Sequence, residues 1–514
     1  MLRAPLAPGK WYTLIATCLG LGMLMIDTFI VNVAFPAIGR DLDASLSTAE
    51  WTVTGYVLMT GVFPIAAGRL GDIFGRRRVY LLGLLVFVAS SALCGLAQNI
   101  EQLVVYRVLQ GLGAATMMPL TLSIITNAFP AEQRGLAIGI WGGVSGLGLI
   151  AGPVIGGLLV NGDEWRWVFL VNIPVGIAAL ALAMAWVPES RDTNAPRYLD
   201  WRGLVALSGA LFLLLFGLTR GNEEGWTSPV IVASFAAGAA LLPVFVVIER
   251  RMRFPLVDLT LFRSWPFVMA CLSAGLFSAA VFGSQPFTSL FMQNYLGFSP
   301  LKGGLAFIPA TALVALLMPV SGILGQRLGR QVRLIIIAGS VSVAISFVYL
   351  LRLDTSSGYV DGLLPAFILR GLGIGLFMSA TSFAVVSAMP VQKSGLASGT
   401  LTMARNIGTS VGVAVFGAVF LQSVDANLPG QLEAAGVAPA EAAAYEAAAH
   451  HFVPAGEGGV REVTRGAVVD GFLAVSVVGL GICILAAGAG TAIRYRKPAA
   501  VTAPVPATAG ATGQ

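Results

Sequence analysis

One acidic side chain interrupts a long apolar run near the start of the sequence. Asp27 stands in the segment Gly22-Met-Leu-Met-Ile-Asp27-Thr-Phe-Ile-Val31. A charged side chain at the centre of a membrane helix costs at least about 2.5 kcal/mol, so Asp27 must be protonated, or face water or a polar partner. Two roles are open, a proton carrier and a structural hydrogen bond to a neighbouring helix. We favour the proton carrier, because we place no other carboxylate deep in a predicted span.

A basic side chain stands one helical turn into a second apolar run. Arg107 begins the pattern Arg107-x3-Gly111-x-Gly113. A guanidinium stays charged, so at depth it needs a carboxylate, carbonyl groups or water. Asp27 is the obvious long-range partner, and an ion pair that forms in only one conformation would change the proton affinity of the carboxylate. The alternative is a side chain that extends to the outer membrane interface. The residue 260 positions later is Phe367, so the predicted proton machinery lies in the first half.

These residues lie in a chain with the composition of an integral membrane protein. Of its 514 residues 56% are hydrophobic and 11% are charged, and the mean hydropathy is +0.83. Soluble domains carry roughly 25% charged residues, and a membrane helix needs about 20 apolar residues. The sequence predicts an all-α protein with fourteen membrane spans, at about 12–33, 51–70, 79–98, 103–126, 135–160, 167–187, 203–219, 230–248, 267–292, 303–324, 334–351, 362–387, 395–421 and 467–492.

Lysine and arginine residues predict the orientation of these spans. With the N-terminus inside, twenty fall in cytoplasmic loops and ends and seven in outer loops, as the positive-inside rule requires. Arg69, Arg107, Arg370 and Arg405 make up the remaining four, within or at the ends of spans. The net charge of +6 is therefore a topology signal and not an indication of nucleic-acid binding. We do not interpret the first span as a signal peptide, because it begins late, lacks a cleavage site and contains Asp27.

Cysteine and histidine residues give no sign of a metal or cofactor. Cys18, Cys94, Cys271 and Cys483 all lie inside apolar spans, where free cysteine behaves as a small hydrophobic residue. His450 and His451 are adjacent in an outer loop, where we expect a solvated pair rather than a metal site. The sequence predicts no cofactor.

Two internal repeats indicate that the chain consists of related halves. The loop Gly68-Arg-Leu-Gly-Asp72-Ile-Phe-Gly75-Arg76-Arg77-Arg78 recurs 254 residues later as Gly322-Ile-Leu-Gly-Gln-Arg-Leu-Gly329-Arg330. A second frame, offset by 260, carries Gly135, Gly139, Gly148, Gly152 and Gly157 onto Gly395, Gly399, Gly408, Gly412 and Gly417. We predict a six-helix bundle at 1–190, a linker with two inserted spans at 191–265, a second six-helix bundle at 266–492 with an outer loop at 422–465, and a disordered cytoplasmic tail at 493–514. The part of the outer loop at 431–452 is predicted as either a short amphipathic helix or a solvated loop.

The repeated loop has residues suited to a joint between moving helices. Gly71 and Gly75 permit tight turns and close helix approach. Asp72 can cap the following helix or pair with an arginine across an interface, while Arg76–Arg78 hold the loop in the cytoplasm. The alternative is that the loop only anchors the topology. The second copy has Gln326 in place of Asp72, so we expect a weaker charge role there.

The fifth span carries a glycine face. Gly148, Gly152 and Gly156 repeat every four residues, which lets another helix pack closely, and Pro153 removes a backbone donor and can kink the span. We interpret this face as part of a gate between the halves, with helix packing alone as the alternative.

Together these motifs resemble the major facilitator superfamily and, within it, the fourteen-spanner drug:proton antiporter family, over residues 12–492. Asp27-Thr28-x3-Asn32-x-Ala34 and Trp165-Arg-Trp-x-Phe169-x2-Asn172-x-Pro174-x-Gly176 resemble patterns of the fourteen-span branch. The resemblance implies a fold of two six-helix bundles plus two inserted helices. It implies three groups of functional residues: for proton coupling, Asp27 and Arg107; for the cytoplasmic gate, Gly68, Gly71, Asp72, Gly75, Arg76 and Arg77; and for the antiporter motif, Gly139, Gly148, Gly152, Pro153, Gly156 and Gly157.

The sequence therefore predicts a proton-coupled exporter of small amphipathic or cationic molecules that works by alternating access. We expect a monomer in the plasma membrane, with both termini cytoplasmic, that contacts protons, lipid and its cargo but no nucleic acid. The nearest alternative is a proton-coupled importer or lipid transporter on the same scaffold. A membrane enzyme is disfavoured because Asp27 stands alone, and a channel is disfavoured by the two-half architecture. Candidate cavity residues, chosen as aromatic, methionine or polar side chains within spans, are Met23, Tyr56, Met117, Trp141, Gln285, Phe287, Phe291 and Gln293.

Overall fold

The structure, a computed structural model, describes residues 9–42, 44, 46–159, 164–191, 200–252, 259–389, 393–450 and 452–493. The described residues form helices joined by short loops, as the all-α prediction requires. In chain order the helices are α1 (Lys10–Asp41), α2 (Leu46–Val62), α3 (Pro64–Phe74), α4 (Arg76–Gly95), α5 (Ile100–Ala128), α6 (Arg134–Leu159), α7 (Trp167–Leu170), α8 (Asn172–Trp186), α9 (Trp201–Glu224), α10 (Pro229–Arg251), α11 (Trp265–Gly283), α12 (Gln285–Leu290), α13 (Pro300–Ala306), α14 (Ile308–Leu328), α15 (Val332–Leu350), α16 (Leu364–Ser387), α17 (Ser394–Ala434), α18 (Pro439–His450) and α19 (Gly458–Thr491).

The predicted fourteen spans agree with the helices. Within the described residues, twelve helical segments are long and apolar enough to cross a membrane, and the bent pair α2–α3 forms a thirteenth if it counts as one span. Helix α6 has 26 residues, which gives it a length of about 39 Å, more than the roughly 30 Å of a hydrocarbon core.

The two halves pack internally in the same way and meet along two helix pairs. In the first half α4 packs on α5, and α1 packs on α6 and α8; in the second half α15 packs on α16, and α11 packs on α17 and α19. The halves contact each other through α3 with α17 and through α6 with α14. Helices α3 and α14 each carry one copy of the repeated loop, and α17 and α6 each carry one copy of the second glycine repeat. In each pair, the loop copy of one half therefore meets the glycine repeat of the other half.

The two inserted helices form a pair at the side of the bundle. Helices α9 and α10 pack on each other, and α9 also contacts α2 and α17, one from each half. The Asp200 side chain starts α9 by accepting hydrogen bonds from the backbone N–H groups of Arg202 and Gly203, which satisfies donors that a helix start leaves open.

The second span differs from its predicted form. A bend of 50° separates α2 from α3 at Phe63, and the helix continues to Phe74, so Asp72 lies in the last turn of a helix and not in a loop. Gly75, with φ of 111°, ends it, because this backbone conformation suits glycine far better than other residues.

The bend leaves one carbonyl group that the other half satisfies. Pro64 has no N–H, so the carbonyl of Thr60, four residues earlier, loses its helical donor. The side-chain amide of Asn406 in α17 donates to this carbonyl instead. A kink in one half is thus matched to a polar side chain of the other.

The outer region 422–465 is largely helical. Helix α17 continues to Ala434, and α18 covers Pro439–His450, so the helix is the correct choice between the two alternatives for 431–452. His450 Nε2 lies 2.7 Å from Asp425 Oδ1, while His451 and residues 494–514 of the predicted tail 493–514 lie outside the described residues. Phe452 is buried and stacks on Phe420 with ring centroids 3.9 Å apart.

Candidate functional site

Asp27 lies at the centre of the first bundle with both carboxylate oxygens occupied. The side chain has no solvent exposure. Oδ2 accepts a hydrogen bond from Arg107 Nη1 at 2.8 Å, and Oδ1 accepts from Gln110 Nε2 and Asn172 Nδ2, both at 2.8 Å. Helices α1, α5 and α8 therefore meet at one carboxylate, whose charge is balanced by one guanidinium.

Arg107 is equally enclosed, so the alternative of an arginine at the membrane interface does not describe this conformation. It is 1% exposed. Its Nη1 also donates to Gln110 Oε1 at 2.8 Å, and its Nε donates to the carbonyl of Thr52 at 3.0 Å. The guanidinium carbon lies 4.1 Å from the centre of the Tyr56 ring, a distance at which a cation is attracted to an aromatic face.

A second layer of hydrogen bonds orients the amide beside Asp27. Asn172 Nδ2 also donates to Ser91 Oγ at 3.0 Å, and Ser91 Oγ donates to the carbonyl of Phe169 at 2.9 Å. Tyr56 and Thr28 share a hydrogen bond of 3.2 Å. The site thus draws side chains from five helices of the first half, α1, α2, α4, α5 and α8.

The two charges in this network depend on each other. A buried ion pair is stable only while both partners keep their charges, and loss of one partner costs about 3–5 kcal/mol. Protonation of Asp27 would neutralise the carboxylate and leave Arg107 without its counter-charge. The free energy of this packed arrangement therefore depends on the protonation of one side chain.

Asp72 joins the two halves at the end of the bundle that carries Arg76, called the Arg76 end below. Its Oδ1 accepts from Arg76 Nη2 at 2.6 Å and from the backbone N–H of Gly395 at 3.2 Å, and its Oδ2 accepts from the N–H of Leu396 at 3.0 Å. Gly395 and Leu396 form the first turn of α17. A carboxylate is favourable there, because it meets both open N–H groups and the positive end of the helix dipole.

Glycine makes this contact sterically possible. A Cβ atom on Gly68 would lie 2.2 Å from the carbonyl oxygen of Gly395. Neither atom can move easily, because the Cβ position is fixed by the backbone of α3 and the carbonyl oxygen belongs to the backbone of α17. Glycine at 68 therefore sets how closely α3 approaches α17.

The second copy of the loop repeats this geometry with an amide. Gln326 Oε1 accepts from the backbone N–H of Gly135 at 3.0 Å, and its Nε2 donates to the carbonyl of Ala131 at 2.9 Å. A Cβ atom on Gly322 would lie 2.0 Å from the carbonyl oxygen of Gly135. Each half thus caps a helix of the other at the Arg76 end, with a charged cap on one side and a neutral cap on the other.

The remaining residues of the first loop hold it against α8. The backbone N–H of Arg77 donates to Glu189 Oε1 at 3.1 Å, its side chain donates to the carbonyl of Met184, and Arg78 lies 3.6 Å from Glu189 Oε2. Gly71 packs against Leu120, where an added Cβ atom would lie 2.3 Å from its Cδ2.

The glycine face of α6 has two different neighbours. Gly139 approaches Pro319 of α14 in the other half, whereas Gly148 and Gly152 pack on Met25 and Phe29 of α1. Gly156 is buried, and for Pro153 and Gly157 only the helical backbone is described. Gly148 and Gly152 therefore set how closely α6 packs on α1 on either side of Asp27, and Gly139 contributes to the contact between the halves.

The eight candidate cavity residues do not line one space in this conformation. Tyr56 belongs to the Asp27 network, and Gln285 lines a cavity of the second half. Met23, Met117 and Trp141 are buried in the packing of the first half, and Phe287 and Phe291 in that of the second. Gln293 donates to Ser289 Oγ at 2.9 Å.

Sequence reasoning missed Gln110, Asn172 and Ser91 as members of the site. Gln110 lies one turn after Arg107 on the same helix face, a spacing that could have identified it. Asn172 appeared only as part of a pattern, and no local signal in the sequence marks Ser91. Within the described residues no three His, Cys, Asp or Glu side chains come together in a way that could hold a metal ion.

Comparison with known proteins relates most of the chain to transporters. The family model of the Major Facilitator Superfamily matches residues 17–413. The tetracenomycin C resistance and export protein of Streptomyces glaucescens is 36% identical over 525 residues, which is 98% of this chain and 96% of the relative. The multidrug resistance protein Stp of Mycobacterium tuberculosis (strain CDC 1551 / Oshkosh) is 36% identical over 424 residues, 82% of this chain and 78% of the relative.

The fold also matches a solved structure of low sequence identity. The proton:xylose symporter XylE superposes with a TM-score of 0.60 at 16% identity, and the match covers 93% of this chain and 94% of the symporter. At 16% identity the match shows only that the two proteins share an arrangement of helices.

Proposed function

The chain belongs to the major facilitator superfamily, and we propose that it is a proton-coupled exporter of small amphipathic molecules that works by alternating access. The chain is a multi-pass membrane transporter and not an enzyme. The proposal adds the energy source, the direction of transport and the membrane orientation.

The observation that carries the proposal is the enclosed ion pair of Asp27 and Arg107. A carboxylate that is fully buried and bonded to one guanidinium and two amides has a clear reason to stay charged in this arrangement. When a proton binds, the charge balance is lost and the helices that meet at Asp27 favour a different packing. Proton binding and helix movement are therefore coupled through one side chain.

The contacts at the Arg76 end support a closed gate on that side. Asp72 and Gln326 each cap a helix of the opposite half, and both caps must break before the halves separate there. We assign this end to the cytoplasm, because the twenty lysine and arginine residues predicted for that side include Arg76–Arg78. In this conformation the cytoplasmic entrance is shut, and cargo leaves towards the outer side.

Names of the relatives favour export over import. One is described as a resistance and export protein and another as a multidrug resistance protein. The same scaffold supports import when the cargo and the proton move together. The experiment must therefore distinguish a proton-coupled exporter from a proton-coupled importer.

Purified protein in proteoliposomes, with an imposed pH difference and a fluorescent dye, tests the direction. An exporter that exchanges dye for protons drives dye towards the acidic compartment, while a symporter drives dye away from it. Protonophore addition should abolish the accumulation in either case. Dye movement that is indifferent to the pH difference contradicts the proposal.

A further inference from the structure

The second half contains two buried arginines where the first half has an ion pair. Arg370 in α16 and Arg405 in α17 are each 5% exposed. Arg405 donates to the carbonyl of Met378 and to Ser382 Oγ, at 3.1 and 3.0 Å. Arg405 has Nε buried without a hydrogen-bond partner, whereas Arg370 has both Nε and Nη2 in that state. The guanidinium carbon of Arg370 lies 4.9 Å from the centre of the Phe347 ring.

Among the residues that the structure describes, no carboxylate forms an ion pair with Arg370. From residue 259 to residue 424 the only acidic residues are Asp354 and Asp361, and both are exposed. Asp354 is already bonded to Ser356 and Ser357 in an outer turn. Asp470 of α19 is exposed as well. A buried guanidinium without a carboxylate is costly, so an anionic ligand that reached Arg370 would be stabilised there by its charge.

The internal repeat relates the surroundings of Arg370 to the Asp27 site. Arg370 occupies the position of Gln110 in the 260-residue frame. In the 254-residue frame, Asp27 corresponds to Val281, and Val281 and Arg370 line the same cavity. The second half therefore has an arginine in place of Gln110 and a valine where the first half has its carboxylate, while the counterpart of Arg107 is Phe367.

The cavity beside Arg370 has walls suited to an aromatic body. Its lining includes Phe282, Phe307 and Phe367 together with two neutral polar side chains, Gln285 and Thr311. Phe307 and Phe367 stack with ring centroids 4.9 Å apart. The cavity measures about 30 Å³ in this conformation, which is room for about one water molecule, so a larger molecule enters only when α11, α14 and α16 separate.

We propose that Arg370 binds the acidic group of the cargo, and that the cargo is an aromatic molecule with a carboxylate or an ionised phenol. This rests on the proposed function and names its substrate class. The anion supplies the charge that the second half lacks, and the phenylalanine walls contact the aromatic rings. Asp27 attracts no cationic cargo in this conformation, because both of its oxygens are bonded inside the first half.

Equilibrium binding of two probes with the same aromatic body tests the charge preference. Protein in lipid nanodiscs, without a pH gradient, is titrated with 9-anthracenecarboxylate and with 9-(aminomethyl)anthracene, and binding is followed by fluorescence anisotropy. We expect the acid to bind at least about tenfold more tightly than the amine, the scale of one hydrogen bond to a charged group. Equal binding, a preference for the amine, or no binding of the acid overturns the proposal.

Four variants locate the preference. Arg370→Gln should remove it, Arg370→Lys should retain part of it, and Arg405→Gln, which removes a buried arginine outside the cavity lining, should leave it intact. Val281→Asp adds a carboxylate to the cavity wall while keeping Arg370, and should weaken acid binding about tenfold or more by competing for the guanidinium. A preference that survives both Arg370→Gln and Val281→Asp contradicts the assignment.

Failure of this inference is distinguishable from failure of the proposed function. Gradient-driven dye transport that depends on Asp27 but carries the amine as well as the acid would overturn the acidic cargo and leave proton coupling in place. Arg370-dependent binding of the acid without any gradient-driven transport would support the acidic cargo and overturn proton coupling.

Discussion

The Asp72 carboxylate of the first half accepts a hydrogen bond from the backbone N–H of Leu396 in the second half, at 3.0 Å. The two residues are 324 positions apart, and the bond crosses the surface along which the halves must separate. On the opposite side of the same end, the amide of Gln326 caps the helix that begins near Gly135. The two caps differ in charge, which leads to the first prediction.

Asp72→Asn should weaken closure at the Arg76 end more than Gln326→Ala does. The Asp72 carboxylate accepts two backbone N–H groups of the other half, and a hydrogen bond to a charged group contributes about 1.5–3 kcal/mol, whereas loss of a neutral cap costs about 0.5–2 kcal/mol. Spin labels at Arg78 and Arg327, both exposed and one in each half, report the distance. We expect a longer mean distance in Asp72→Asn than in Gln326→Ala; the reverse order would show that charge does not hold this gate.

Gly68→Ala should also open the Arg76 end, for a steric reason. The added Cβ would lie 2.2 Å from the Gly395 carbonyl oxygen, and overpacking of this kind costs about 1–3 kcal/mol. Gly481→Ala in α19 is the matched control, because a Cβ there meets nothing within 4 Å. The same pair of spin labels should lengthen for Gly68→Ala only, and transport should fall only in that variant.

The kink at Pro64 predicts that one substitution partly compensates for another. Asn406→Leu leaves the Thr60 carbonyl without a donor, which we expect to destabilise the protein by about 1–3 kcal/mol. Pro64→Ala restores the backbone N–H that this carbonyl lacks, so the double variant should recover part of the loss. Thermal unfolding of the two single variants and the double variant measures the coupling. Strictly additive effects would mean that the amide of Asn406 does not replace the missing helical bond.

The ion pair of Asp41 and Arg166, at the C-terminal end of α1, should not contribute to the pH dependence of transport. Arg166 and Trp165 donate to Asp41 Oδ2 at 2.6 and 2.9 Å, and these hydrogen bonds, Arg166 first, lower the pKa of Asp41 below its usual 3.8. Because the folded-state pKa is depressed, the stabilisation is present above pH 3.8 and is lost only as the pH falls through the lower folded value.

Asp41→Asn therefore serves as the control for every pH measurement on this protein. The pair is about 40% exposed, so its loss should change stability by at most about 1 kcal/mol. We expect an unchanged profile of transport rate against pH between 5 and 8. A displaced profile in Asp41→Asn would assign part of the proton response to this ion pair.

Much of the architecture could be predicted from the sequence. Spans follow from hydropathy, because a helix needs about 20 apolar residues to cross the hydrocarbon core. The paired glycine motifs indicate the two halves, because each copy must allow the same backbone approach. The contact between Asp27 and Arg107 followed from the cost of leaving either one alone in an apolar environment.

Other features depend on three-dimensional packing and left little local signal. Neutral partners such as Gln110 and Ser91 resemble ordinary polar residues of a span, and only the fold brings them to one carboxylate. The sequence predicts Asp72 in a loop, because the predicted second span ends at residue 70, whereas the helix that contacts α17 continues to Phe74. The sequence places Arg370 only within or at the end of a span, and the lack of a carboxylate beside it among the described residues is visible only in the three-dimensional structure.

Proton-driven transport by Asp27→Asn is the most direct test of the central claim. Asparagine keeps the size of the side chain but cannot bind and release a proton, and its amide nitrogen cannot accept the hydrogen bonds that one Asp27 oxygen accepts. Two assays in the same proteoliposomes are needed, dye accumulation driven by a pH difference and dye exchange at equal dye concentration and equal pH. We predict that Asp27→Asn loses accumulation by at least about tenfold and still exchanges dye, whereas accumulation equal to that of the wild-type protein would contradict Asp27 as the proton carrier.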